Sequence, residues 1–222
     1  MSEASTSERD LAESGEREKA ALQKAARAMD WVRMRQIGGY HFAMVVGALT
    51  LWGAAVTWAQ LTGWMVAEFD ALGGALVAGF VLPSTLHEWG HFAGARLSGA
   101  QSPVLKRPRG HFFMFDFPMD QNDARQFLWM SWGGILVPWA IVVLALVFVP
   151  LSLLSGLVLI ATLISRAVAI TVFEGPIAGA VARGGTPGKE LARRVKAAGL
   201  GRAGRVGNWA GWLVFVLLWV VT

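Results

Sequence analysis

The chain has 222 residues, 55% of them hydrophobic and only 16% charged, with a mean hydropathy of +0.47. Those values exclude an ordinary water-soluble domain, and apolar runs of about 20 residues, enough to cross a bilayer, recur along the chain. The net charge of +5 does not point to nucleic acid, because Lys and Arg gather beside the apolar runs, as anionic lipid and membrane topology require.

Residues 1–36 are polar and of mixed charge. The opening MSEASTSERD has neither the basic start nor the apolar centre of a cleavable signal peptide, so the first span is expected to stay in place. The first dozen residues are expected to be disordered. The Ala-rich run 18–29 reads as a surface helix with a thin apolar face of Leu22, Met29 and Val32. A first span is predicted over 40–64, followed by a link that holds Glu68 and Asp70 and no basic residue. The second span covers 72–97.

A polar interval follows, with Arg96, Lys106, Arg107, Arg109 and Arg125 around an aromatic segment, 110–117, that precedes Pro118. That composition predicts a short strand or hairpin at the membrane surface. A third span falls at 127–148 and a fourth at 156–181, separated by a turn at Pro150, Ser152 and Ser155. Thr186-Pro187 opens a basic helix ending near Gly199, with Thr as N-cap and Pro at the first helical position. A Trp- and Leu-rich fifth span, 206–221, closes the chain.

The expected fold class is therefore an all-α polytopic membrane protein of about five transmembrane helices, with a short membrane-surface hairpin between spans two and three. It divides into an N-terminal segment 1–36, a four-span core 37–182, a basic helix and linker 183–205 and a final span 206–222. Lys and Arg collect in alternate connections, which places the N-terminus in the cytoplasm and the C-terminus outside, with a prokaryotic cytoplasmic membrane as the expected location.

Within the second span stands His87-Glu88-Trp89-Gly90-His91. Residues four apart lie one above the other on a helix, so His87 and His91 can present imidazole nitrogens to one metal ion. Glu88, beside the first ligand, is placed to take a proton from a metal-bound water. With only 4 His in the chain, an accidental HExxH is improbable. Ionisable groups are costly in so apolar a run unless they have a function. Zinc is the expected ion, and the lack of cysteine restricts its ligands to His, Asp or Glu.

Catalytic zinc takes three protein ligands and keeps a place for water. The candidates for the third are His41, His111, Glu68, Asp70, Asp116, Asp120, Asp123 and Glu174. Glu68 and Asp70 fall at the opposite end of the bundle. Glu174, followed by Gly175 and Pro176 in the fourth span, lies a few turns from the basic interface, at a depth like that of the histidines. An ion pair of Glu174 with Arg166, the one basic residue inside that span, is the structural alternative.

The run from Leu86 to Gly99, LHEWGHFAGARLSG, resembles the site-2 protease family of intramembrane zinc metallopeptidases, whose first motif reads HExGHF followed by A-[RK]-x-x-G. The resemblance continues weakly through the small residues after Arg125, Ser131 to Val137, where Val137 stands in the position of a family Asn. It reaches the family's Asp-Gly ligand pair at Glu174-Gly175. No segment has room for a PDZ or CBS domain, so the form implied is minimal.

The resemblance implies peptide-bond hydrolysis in or near the bilayer. Zinc would be held by His87, His91 and Glu174, with Glu88 as general base, and the partners would be a membrane protein or peptide substrate and the lipid bilayer, with no nucleic acid. The aromatic segment 112–117 would dock an unwound substrate strand or serve as an interfacial anchor. The rival expectation is a non-proteolytic membrane binding or scaffold protein that retains a metal site.

Overall fold

The structure is a computed structural model that describes the backbone of residues 3–109 and 113–221 and the side chains of 28–107 and 114–221. Its elements in order are α1 (Glu3–Thr62), α2 (Met65–Leu97), β1 (Val104–Arg109), β2 (Phe113–Phe115), α3 (Ala124–Phe148), α4 (Leu154–Ala182), α5 (Pro187–Lys196) and α6 (Gly199–Val221). Five of the helices are long and apolar enough to cross a membrane: α1 over Ala28–Thr62, α2, α3, α4 and α6. The expected class, an all-α polytopic membrane protein with one small hairpin, is the observed one.

Three boundaries differ from expectation, each for a local reason. The surface helix and the first span are one continuous α1, whose helix begins at Glu3 rather than after a disordered dozen residues. Gly38 does not break it, and a Cβ there would only touch the Trp89 indole, at 3.4 Å. The link after the first span is only Gly63 and Trp64. Gly63 takes φ 64°, a left-handed conformation that reverses the chain at once, so Glu68 and Asp70 fall in the first turns of α2. The last helix begins at Gly199, not 206, and carries Arg202 and Arg205 in its opening turns.

Helices α2, α3 and α4 form the centre, with α1 against α2 and α6 against α4. Their shared core joins Ala75, Ala78, Ile141, Val142, Leu159, Ile160 and Leu163. Lipid tails are as apolar as leucine, so hydrophobicity alone does not bring such helices together, and close contact over small residues does. A Cβ on Gly90 would lie 2.4 Å from the Gly133 carbonyl oxygen, and one on Gly133 2.2 Å from that of Gly90. The α2–α3 backbones touch at the turn that carries the HExxH run. Gly207 and Gly211 of α6 meet Ser165 of α4 in the same way.

The antiparallel hairpin pairs Val104 with Phe115 and Arg109 with Phe113, with an irregularity between. Met114 and Val104 are buried with Ile37 and Phe92, which seats the hairpin on α1 and α2. Asp30 accepts from the Val104 amide at 3.2 Å and Arg33 donates to its carbonyl at 3.1 Å. Asp30 also pairs with Arg96 at 2.8 Å, tying α1 to the end of α2. Residues 110–112, including His111 and Phe112, lie outside the described residues. Among the described residues, every Lys and Arg except Arg166 belongs to the hairpin end of the bundle.

Replacing Gly90 by Ala should lower the thermal midpoint of the detergent-solubilised protein by several degrees, because α2 and α3 must move apart. Gly73→Ala, where nothing lies within 4 Å, should leave it unchanged. Equal midpoints for both variants would contradict the close-contact account.

Candidate metal centre

His87 and His91 lie one turn apart near the C-terminal end of α2, and Glu174 reaches them from α4. The His87 and His91 Nε2 atoms are 3.1 Å apart, and each is 3.2 Å from Glu174 Oε1. Among the described residues this is the one group of three His, Cys, Asp or Glu able to hold a metal ion together. The imidazoles are 12% exposed and the carboxylate 18%, so the site is recessed but open to a small ligand.

The orientation of each ring is set from behind. His87 Nδ1 lies 2.9 Å from the Gly134 carbonyl oxygen, and His91 Nδ1 lies 2.9 Å from that of Met130. A carbonyl oxygen only accepts, so each Nδ1 carries a proton and each ring turns its Nε2 edge inward. Two Nε2 atoms and a carboxylate oxygen then converge within 3.2 Å, close enough to share a proton or to hold a metal ion.

The donors fit zinc. Tetrahedral ligands about 2.0–2.2 Å from an ion stand roughly 3.3–3.6 Å apart, slightly more than the triangle seen here. The second carboxylate oxygen, Glu174 Oε2, is buried without a hydrogen-bond partner, which leaves it available to the same ion.

Two prolines prepare this geometry. Pro138 in α3 has no N–H, so the carbonyl four residues back, Gly134, has no partner within the helix. That is the carbonyl His87 bonds. Pro176 in α4 likewise releases the carbonyl of Val172, two residues before Glu174. Arg194 reaches from α5 and donates to it at 2.5 Å. Trp139 Nε1 donates to Thr171 Oγ1 at 2.9 Å, which joins α3 to α4 beside the ligand.

Small residues again matter. A Cβ on Gly134 would fall 2.2 Å from His91 Cε1, so a larger residue there would displace the ring.

Glu88 is buried on the same turn of α2, one residue after His87. Trp89, next in sequence, donates to His41 Nδ1 at 3.1 Å and so anchors this turn to α1. His41 is thus a buried packing partner and not part of the cluster.

The other candidates lie elsewhere. Asp116 accepts from the following Phe117 amide, and Asp123 is the N-cap of α3 in a capping box with Gln126. Asp120 sits in an exposed turn, and Glu68 and Asp70 stand at the far end of α2. The Glu174–Arg166 pair does not form, since Arg166 instead donates to Ser84 Oγ and lies over the Phe80 ring. Val137 packs against Gly90 in the α2–α3 seam.

Pro138, Gly134 and Arg194 escaped the reading of the sequence. The available signal was a proline four residues beyond a carbonyl near each ligand, which becomes informative only once the opposing helix is known.

No protein-family model matches the chain, and neither does any curated protein or solved structure.

Purified protein should bind one zinc per chain, and His87→Ala or His91→Ala should abolish it, as read by elemental analysis. Glu174→Gln should weaken binding strongly and Glu174→Asp less so; wild-type zinc content in all four variants would exclude the site. Arg194→Met should reduce zinc affinity by about tenfold, in the range seen when groups that orient ligands are lost. An unchanged affinity in competition with a chelator would separate α5 from the metal centre.

Proposed function

We propose that the chain is an intramembrane zinc metallopeptidase that hydrolyses peptide bonds of membrane-embedded or membrane-proximal substrates. This is the chemistry of the site-2 protease family that its HExxH segment resembles. The observation that carries the proposal is the convergence of His87, His91 and Glu174 with Glu88 beside them, among helices apolar enough to span a bilayer. A buried charged cluster is expensive in such surroundings unless it serves chemistry.

Zinc bound at this site supplies Lewis acidity toward a peptide carbonyl and brings the pKa of water toward neutrality. The residues of the chain do the rest. Glu88 accepts the proton of the attacking water and returns it to the departing amine. The Gly134 and Met130 carbonyls hold both imidazoles in the tautomer that leaves Nε2 free.

A structural metal site has no use for a base next to its first ligand, which favours hydrolysis over a purely binding role. Among the described residues no third strand pairs with the hairpin, whose β1 is held to α1 at Val104, and a substrate segment unwound from its helix can add to the β2 edge by backbone pairing. With the basic end of the bundle on the cytoplasmic side, the N-terminus is cytoplasmic, the C-terminus is outside, and the site opens a few turns from the inner interface.

Glu88→Gln is the direct test. The amide cannot take a proton, so cleavage of co-expressed single-span proteins should fall by about 10²–10⁴-fold while zinc content stays at the wild-type level. Undiminished cleavage would remove Glu88 from the chemistry. If no membrane protein differs in length between cells carrying wild type and variant, the chain is instead a metal-holding binding protein.

A further inference from the structure

Arg166 takes no part in the chemistry above, yet it is the one basic residue between Arg125 and Arg183. It stands in the middle of α4, half-buried against α2. Its Nη2 donates to Ser84 Oγ at 3.3 Å, and its guanidinium carbon lies 4.7 Å from the centre of the Phe80 ring. Its Nε is buried and has no acceptor. Five N–H donors thus meet a single neutral hydroxyl, and among the described residues no carboxylate pairs with this cation. A guanidinium held between apolar helices calls for an anion, and the described residues provide none.

Its placement says what the anion does. Phe80, Ser84, His87 and His91 are spaced by four, three and four residues, so they line one stripe of α2. Arg166 faces the first half of that stripe and Glu174 the second half. Eight residues separate Arg166 from Glu174 on α4, about 12 Å, and seven separate Ser84 from His91 on α2, about 10 Å. An extended peptide covers that distance in about three residues.

We propose that Arg166, with Ser84 and Phe80, forms a subsite for a substrate carboxylate. The carboxylate would be an Asp or Glu side chain, or a free C-terminus, about three residues from the bond presented to the metal centre and on the side away from the hairpin. The direction of specificity rests on the peptidase reading. The anion site itself rests on the Arg166 geometry alone. Ser84 holds the guanidinium from one side and Phe80 supports its face, leaving the open donors for the planar two-point contact that arginine makes with a carboxylate.

The test uses the full chain with zinc, in lipid discs of phosphatidylcholine, and two labelled apolar 12-residue peptide amides that differ only in one central Glu or Gln. The wild-type protein should bind the Glu peptide at least tenfold more tightly than the Gln peptide. Arg166→Gln should bind both as the wild type binds the Gln peptide, with zinc content unchanged, and Arg166→Lys should restore part of the preference. Equal binding of the two peptides by the wild type overturns the subsite, as does a preference that survives in Arg166→Gln. A preference abolished when phosphatidylglycerol replaces phosphatidylcholine assigns the cation to lipid phosphate and likewise overturns it. Because the readout is binding, loss of the peptidase reading through Glu88→Gln leaves this result distinguishable.

Discussion

The backbone carbonyls released by proline are the constraint on which the rest of this structure depends. In an apolar surrounding each unpaired carbonyl must find a donor within the protein, because no water is there to supply one. Pro138 releases Gly134, and His87 answers it from α2; Pro176 releases Val172, and Arg194 answers it from α5. Each answer has a second effect. The first fixes the tautomer and direction of an imidazole, and the second steadies the helix turn that carries Glu174. The same bonds that satisfy the backbone therefore aim His87 and steady Glu174, while His91 is aimed by the Met130 carbonyl.

Close helix contact makes those bonds reachable. The Gly90 and Gly133 backbones touch, so a histidine on α2 can reach carbonyls of α3 at 2.9 Å. With larger residues the helices would separate by an ångström or more, and both rings would lose their hold. Packing and chemistry are coupled here through side chains that are absent. His41 adds a third fixed point, since its bond from Trp89 pins the HExxH turn to α1.

Much of this architecture was legible in the sequence because hydropathy and charge write it twice. Five apolar runs and the alternation of Lys and Arg between them gave the helix count and gathered the basic residues at one end. Spacing brought His87 and His91 to one face, and depth along the fourth span singled out Glu174, which the structure places 3.2 Å from both rings. Helix ends were less legible. Hydropathy alone places the first span at 40, while α1 runs unbroken through Gly38 and Gly39, and a two-residue reversal at Gly63 depends on a left-handed φ. The partners of Arg166 were out of reach for a different reason: Ser84 and Phe80 are 82 and 86 positions away, and only the packing of α4 on α2 brings them near. An ion pair of Glu174 with Arg166 was the structural alternative by sequence, but the two sit about two turns apart on one helix and serve different neighbours on α2.

The central claim is that His87, His91 and Glu174 surround one zinc ion. X-ray absorption at the zinc edge of the purified, zinc-loaded protein tests it most directly, because it reads the identity and distance of the ligand atoms. The account predicts a low-coordinate site with two imidazole nitrogens and carboxylate oxygen at about 2.0–2.2 Å. It also predicts that the imidazole scattering is lost in the His87→Ala, His91→Ala double variant. A six-coordinate, all-oxygen shell without imidazole scattering would contradict it.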